Sequence, residues 1–265
     1  MRVFVEGVGL CGPGLGGWKA GRALLAGDAP YQTGPTVVTA SELLPAAERR
    51  RAGMPVKLSL AAGGEALAAA ARDAAKTATV FASSSGDCDN VHHMLEALAT
   101  PARQISPTRF HNSVHNAAAG YWSIANQCRA PSTSLACLDA SFAAGLLEAA
   151  CHVAGNGAAV TLIAYDHPYP EPLHAVRTIL AAFGVALVLA PGATDHSIAT
   201  LDIEFVAREA AATRVAVPGL EALRIGVPAA RSLPLLTVLA RGSPGTVVLE
   251  FVTGTHLHVA VAPCA

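Results

Sequence analysis

The sequence predicts an α/β fold in which helices cover both faces of one sheet. Apolar runs of strand length alternate with longer helical patterns over roughly the first two thirds of the chain. Residues of the AVILMFWYC set make up 52% of the 265, while aromatics are only 5%, so Ala and Gly fill much of the apolar share. That composition suits close packing of helices on a sheet and supplies a large core, which excludes general disorder. No repeat of roughly 20–50 residues points instead to a solenoid.

Taken in order, Arg2 to Val5 is a short apolar run ending in glycines and reads as a buried strand. Trp18 to Leu25 predicts a helix, closed by Gly27 and Asp28. Residues 30–41, with Pro30, Gly34 and Pro35, read as a loop with room for one small strand. Pro55 to Ala75 has a long helical pattern interrupted by Gly63 and Gly64. Thr79 to Ser84 is a strand broken by Ser85-Gly86-Asp87, and Val91 to Ala99 a helix that stops before Pro101. Ser106-Pro107 is a helix-start signal. Val114 to Gln127 continues as an Ala-rich helix. Thr133 to Ala136 is a short strand, followed by a helix over about 139–154. Ala158 to Ala164 is again a strand. Beyond Pro172 the pattern changes to strands at 185–190, 200–207 and 246–261, the last a hairpin around Thr253-Gly254.

The chain carries 18 basic and 19 acidic side chains, a net charge of −1, which argues against a nucleic-acid partner. Arg49, Arg50 and Arg51, beside Glu42 and Glu48, read as a solvated helix face. Glu6 interrupts the apolar N-terminus, so no signal peptide is expected. The most apolar stretch, Ile179 to Ala193, is too short to span a bilayer and contains two glycines. A soluble, cytoplasmic protein is expected. Six cysteines at 11, 88, 128, 137, 151 and 264 form no C-x-x-C pair, so no disulfide framework is expected.

Gly7-Val8-Gly9-Leu10-Cys11-Gly12 fits the G-x-G-x-x-G dinucleotide pattern, but Pro13, Gly14, Gly16 and Gly17 keep the backbone irregular where a helix must begin. A tight strand-to-helix connection is the better reading, and no cofactor is expected. His111 and His115 have the i, i+4 spacing of a metal pair, yet Asn112 stands where H-E-x-x-H needs Glu. His92-His93 and His256 with His258 lack a third ligand, so no metal is expected. Cys137 differs from these. It lies where the strand ending at Ala136 meets the next helix, with Asp139 in the first turn. Amides exposed at such an elbow favour a thiolate and can stabilise an oxyanion. A buried structural cysteine is the plainer alternative.

The stretch from Gln104-Ile105-Ser106-Pro107 through Asn116, Gly120 and Ser123-Ile124 to Ala136-Cys137, with Gly145 eight positions later, resembles the N-terminal half of β-ketoacyl synthases. The opening RVFVEGVGLCGPGLGGWKAGRALLAG resembles that family's first strand, glycine turn and helix, and TATVFASSSGD its third strand. The resemblance covers roughly residues 1–165 in order. It implies a thiolase-like α-β-α fold, with a synthase-like half over 1–172 and a shortened β-rich portion over 173–265 packed on the same core.

Family synthases load the acyl chain on the elbow cysteine and decarboxylate malonyl units with two histidines, in a GTGT-type and a K-x-x-x-G-H-type loop. Neither histidine motif is present here, and Leu138-Asp139-Ala140 replaces the small hydroxyl-rich residues usual after the cysteine. These departures resemble the chain-length factors, notably the short ones of aryl polyene biosynthesis, which pair with a full ketosynthase and shape its acyl tunnel. The implied tunnel or dimer-face residues are Phe110, His111, Asn112, Ser113 and Asn116. The implied partners are a full-length ketosynthase, or a second copy of the chain, and acyl carrier protein. Rival readings are an acyltransferring enzyme with Cys137 as nucleophile, a cysteine hydrolase, which lacks its G-x-C-x-G pattern, and a homodimeric scaffold.

Overall fold

The structure, a computed structural model, describes residues 1–208 and 210–264. Its elements run β1 (Arg2–Cys11), α1 (Trp18–Ala26), α2 (Ala46–Arg51), α3 (Met54–Ala69), β2 (Ala78–Ala82), α4 (Cys88–Ala99), α5 (Pro107–Asn112), α6 (Ala117–Asn126) and β3 (Ser132–Leu135). A 3₁₀ turn at Leu138–Ala140 leads to α7 (Ser141–Asn156), β4 (Val160–Asp166), α8 (Leu173–Val176), β5 (Phe183–Ala190) and β6 (Ala199–Val206). Then come α9 (Pro218–Gly226), a 3₁₀ turn at Pro228–Ser232, α10 (Leu233–Arg241), β7 (Gly245–Glu250) and β8 (His256–Pro263). The described strands form one sheet in the order β3-β2-β4-β5-β1-β6-β8-β7. β3, β2 and β4 are parallel, and every other neighbouring pair is antiparallel.

Side chains of successive strand residues leave opposite faces of a sheet. Here Val80, Ala82, Leu162, Ala164, Val185 and Leu187 therefore face one core, with Phe142 and Leu146 of α7 and Leu235 and Leu236 of α10. Phe81, Ile163, Tyr165, Ala186 and Val188 face the other, under α3 and the Tyr121 and Trp122 rings of α6. The expected α-β-α layering is what these two cores produce.

The local differences from expectation have identifiable causes. Gly7 and Gly9 do not end the first strand but lie inside the ten-residue β1. A Cβ on Gly9 would stand 1.8 Å from the Ala62 carbonyl oxygen, and one on Gly7 2.1 Å from that of Ala66. The glycines thus let α3 lie directly on the strand, so the G-x-G-x-x-G run is neither a nucleotide loop nor a strand-to-helix connection. Glu6, just before them, is buried and held by Arg72 and by the Thr194 hydroxyl, which donates at 2.8 Å. The helix α3 runs through Gly63 and Gly64 unbroken, because Gly63 sits against Trp122, with 2.6 Å to Cζ3 from an added Cβ. Residues 30–41 hold no strand.

Besides the four-residue α8, two helices, α9 and α10, stand in the region expected to be mostly strand. In α10 seven of nine residues are buried, and both helices carry Pro at the first or second position. Proline there starts a helix rather than breaking one. α2 carries Arg49 to Arg51 with no buried residue, the solvated face expected of it. Among the described residues no helix is long and apolar enough to cross a membrane.

Candidate functional site

Because β2, β3 and β4 are parallel, their C-terminal ends open on one edge, where the loops after them converge. Cys137 stands there, two residues beyond β3. α7 does not begin at once after it, as expected, but at Ser141, across the 3₁₀ turn. Leu138 has φ +47°, a left-handed backbone that is unfavourable for a leucine, and its side chain is 66% exposed. The Cys137 N–H donates to the Ser141 hydroxyl at 3.0 Å, and that hydroxyl donates to the Leu138 carbonyl at 2.7 Å. The amide best placed to stabilise an oxyanion beside the thiol is therefore already occupied. Gly145 keeps α7 close to the sheet, since a Cβ would lie 2.7 Å from Leu162 and 2.8 Å from Ala82.

Asp139 does not cap α7. Its carboxylate accepts from Arg177 at 2.8 Å and pairs with Arg231 at 3.5 Å. Those arginines tie the elbow to the segments at 177 and 231, a link that spacing along the chain could not reveal. Among the described residues no histidine bonds Cys137. His115 Nε2 is 3.1 Å from the Ser83 carbonyl, His152 bonds Glu148, and His256 Nδ1 bonds the Arg208 carbonyl. His111 and His115 do not share a helix, because α5 ends at Asn112. His111 stacks edge-on to Tyr121 instead.

Beneath the elbow, Asp166 closes β4 fully buried. It accepts from the Ser84 N–H and hydroxyl at 2.8 and 2.7 Å, from the Ala229 N–H at 2.9 Å and from Ser83 at 3.3 Å. Burial outweighs these bonds and raises its carboxyl to about 6. An unfolded aspartate titrates near ~3.9, so the folded state holds this proton more tightly. The contribution to stability is whole below that value and falls by about 3 kcal/mol as pH rises through 6. The stability difference between the parent chain and Asp166→Asn should accordingly drop by about 2 kcal/mol from pH 4 to 7 in denaturant titrations. A pH-independent difference would contradict the assignment.

The five residues expected at a tunnel or partner face separate by side. Phe110, His111 and Asn116 are exposed, and Ser113 is half-buried, its hydroxyl donating to the Phe110 carbonyl. Asn112 points inward: it is buried, donates to the Arg51 carbonyl at 3.1 Å and accepts from the Tyr121 hydroxyl at 3.1 Å. Beside them lies a groove of about 530 Å³ lined by His115, Asn116, Ala119, Gly120, Ser123, Ser132 and Ser134. Among the described residues β3 pairs only with β2, so its other edge offers free amides and carbonyls to this groove. Phe110, Val114, Ile124 and Leu138 are large apolar side chains left exposed on α5, α6 and the flanking turns. Of these only Phe110 was legible as a site residue, because the others sit in helical or elbow patterns that read as core.

Residues 18–221 match the family model for the β-ketoacyl synthase N-terminal domain. No curated protein matches the chain. Among solved structures, a ketosynthase (ApeO) in complex with its chain length factor (ApeC) from Xenorhabdus doucetiae superimposes with a TM-score of 0.73, at 22% identity over 99% of both chains. The ishigamide ketosynthase/chain length factor gives 0.73 at 17% identity, over 100% of this chain and 99% of that one. A type II polyketide-synthase acyl-carrier protein in complex with its ketosynthase bound to the hexaketide, AntDE:AntF, gives 0.71 at 13% identity over 99% of each chain. At these identities the likeness is one of fold.

Proposed function

The chain belongs to the β-ketoacyl synthase family, and on that premise we propose that it is a non-condensing subunit of the chain-length-factor type. It pairs with a full-length ketosynthase and walls the acyl tunnel of that partner. The observation that carries this reading is the groove along α6 and the free edge of β3, together with the large apolar side chains left exposed at Phe110, Val114, Ile124 and Leu138. A monomer rarely leaves such a face bare, since covering it removes apolar surface from water at about 25 cal/mol per Å².

The elbow supports the same role. The Cys137 amide is bonded to Ser141 and among the described residues no histidine is hydrogen-bonded to the thiol, which supports a role other than acyl transfer for the elbow. Neighbours in the structural comparison are ketosynthase and chain-length-factor assemblies, one with an acyl-carrier protein, which favours these partners and a cytoplasmic setting. Residues 1–172 would supply the synthase-like half and 173–265 its shortened remainder.

Phe110, 61% exposed on the six-residue α5, is the side chain best placed to limit a growing chain in the partner's tunnel. Phe110→Ala, and His111→Ala to a lesser degree, should shift the products of the reconstituted pair toward longer acyl chains, read by mass spectrometry. An unchanged product distribution, with the pair intact, would contradict the tunnel role.

A further inference from the structure

We propose that Asp87, Asp89 and His167 form a binding site for one first-row divalent cation of the Zn²⁺ type, where the start of α4 meets the chain leaving β4. One ligand atom from each residue lies within 4.8 Å of the other two. His167 is 4% exposed, yet its Nδ1 stands 3.9 Å from Asp89 Oδ2, too far for a hydrogen bond, and its Nε2 has no partner. A buried polar nitrogen without a partner costs about 1–3 kcal/mol, and ligation through Nδ1 would satisfy the nitrogen that faces the carboxylates.

The charge around it has the matching sign. Asp87 is buried and among the described residues its carboxylate accepts only from Asn90, from its N–H at 3.1 Å and its side-chain amide at 2.7 Å, which leaves lone pairs free. Among the described residues neither Asp87 nor Asp89 pairs with Lys or Arg. Asp166 adds a third carboxylate one residue before His167. The Cys88 thiol between the two aspartates is pushed up, mainly by burial and also by the charges of Asp87, Asp89 and Asp166.

One imidazole and two carboxylates, with positions left for water, suit Zn²⁺ and its neighbours better than Ca²⁺, which takes six or more oxygens. Tetrahedral bonds of ~2.1 Å place ligand atoms ~3.4 Å apart, so groups that now lie within 4.8 Å of one another must draw in by up to ~1.4 Å. Asp89, half-exposed in the first turn of α4, can supply that movement. The ion would join α4 to the β4–α8 connection, the two walls of an apolar cavity of about 350 Å³ that includes Val91, Leu95, Pro172 and Val176. The histidine doublets of the sequence gave no hint of it, because its ligands lie about 80 residues apart along the chain.

Titration calorimetry of the whole chain with Zn²⁺ should show one equivalent bound, with a rise in melting temperature that chelator reverses. Asp89→Asn and His167→Gln should each weaken binding by about tenfold or more, while His93→Gln and His152→Gln, which lie beside other carboxylates, should not. Asp89 is exposed enough that its variant keeps the fold. Absence of stoichiometric binding by the parent chain would overturn the proposal, as would unchanged affinity in Asp89→Asn or loss of the site in His93→Gln.

Discussion

Gly9→Ala is expected to leave little folded protein under conditions where the parent chain is fully folded. The added Cβ would meet the Ala62 carbonyl oxygen at 1.8 Å, its carbon at 2.7 Å and its Cα at 3.1 Å. All three are backbone atoms of α3, so no side chain can rotate aside. To admit the methyl, the 16-residue α3 must back away from β1, opening the core shared with Tyr121 and Trp122. A loss of about 4 kcal/mol or more is expected, against a total stability of about 5–15 kcal/mol. Gly64→Ala in the same helix is the control. Nothing lies within 4 Å of its added Cβ, so it should stabilise by about 0.5–1 kcal/mol. Denaturant unfolding measures both. A Gly9→Ala chain within about 1 kcal/mol of the parent would show that α3 does not rest on this strand.

Gly120→Arg should separate folding from partnership. Gly120 lies mid-way along α6, facing open space in the groove beside Ser132 and Ser134. Arginine has a helix propensity better than glycine by about 0.6–1 kcal/mol, so the isolated chain should gain slightly in stability. The same side chain would fill the groove and place a bulky charge against the β3 edge, where a partner must approach closely. Binding to a co-expressed full-length ketosynthase should weaken at least about a hundredfold, seen as separate peaks in sedimentation or size-exclusion with light scattering. An intact complex would move the interface away from β3 and α6. A chain that self-associates without the ketosynthase, and loses this in the variant, would instead favour the homodimeric scaffold.

Much of this fold is legible in the sequence because its strands and helices keep their periods. Phe183–Ala190 and Val160–Asp166 are short apolar runs bounded by breakers, and the Asn116 to Gly145 stretch carries the spacing that places the elbow. What is missed follows from tertiary packing. Gly7 and Gly9 look like a turn until a helix is laid across them. Leu233–Arg241 is left unassigned among the strands because it is one short, nearly continuous apolar run in which only Thr237 and Arg241 mark a helical period. At the site, Cys137 and Phe110 stand out by type and position. The Ser141 hydroxyl that occupies the Cys137 amide, the Arg177 and Arg231 clamp on Asp139, and the inward turn of Asn112 depend on residues that meet only after folding.

The central claim is that this chain shapes a synthase site without carrying the acyl group. Intact-mass and peptide mass spectrometry after incubation with acyl-loaded carrier protein, with and without a co-expressed full-length ketosynthase, tests it most directly. The account predicts acylation of the ketosynthase alone, with Cys137 unmodified in both conditions. An acyl adduct on Cys137 in the isolated chain would contradict it and make the chain an acyltransferring enzyme in its own right.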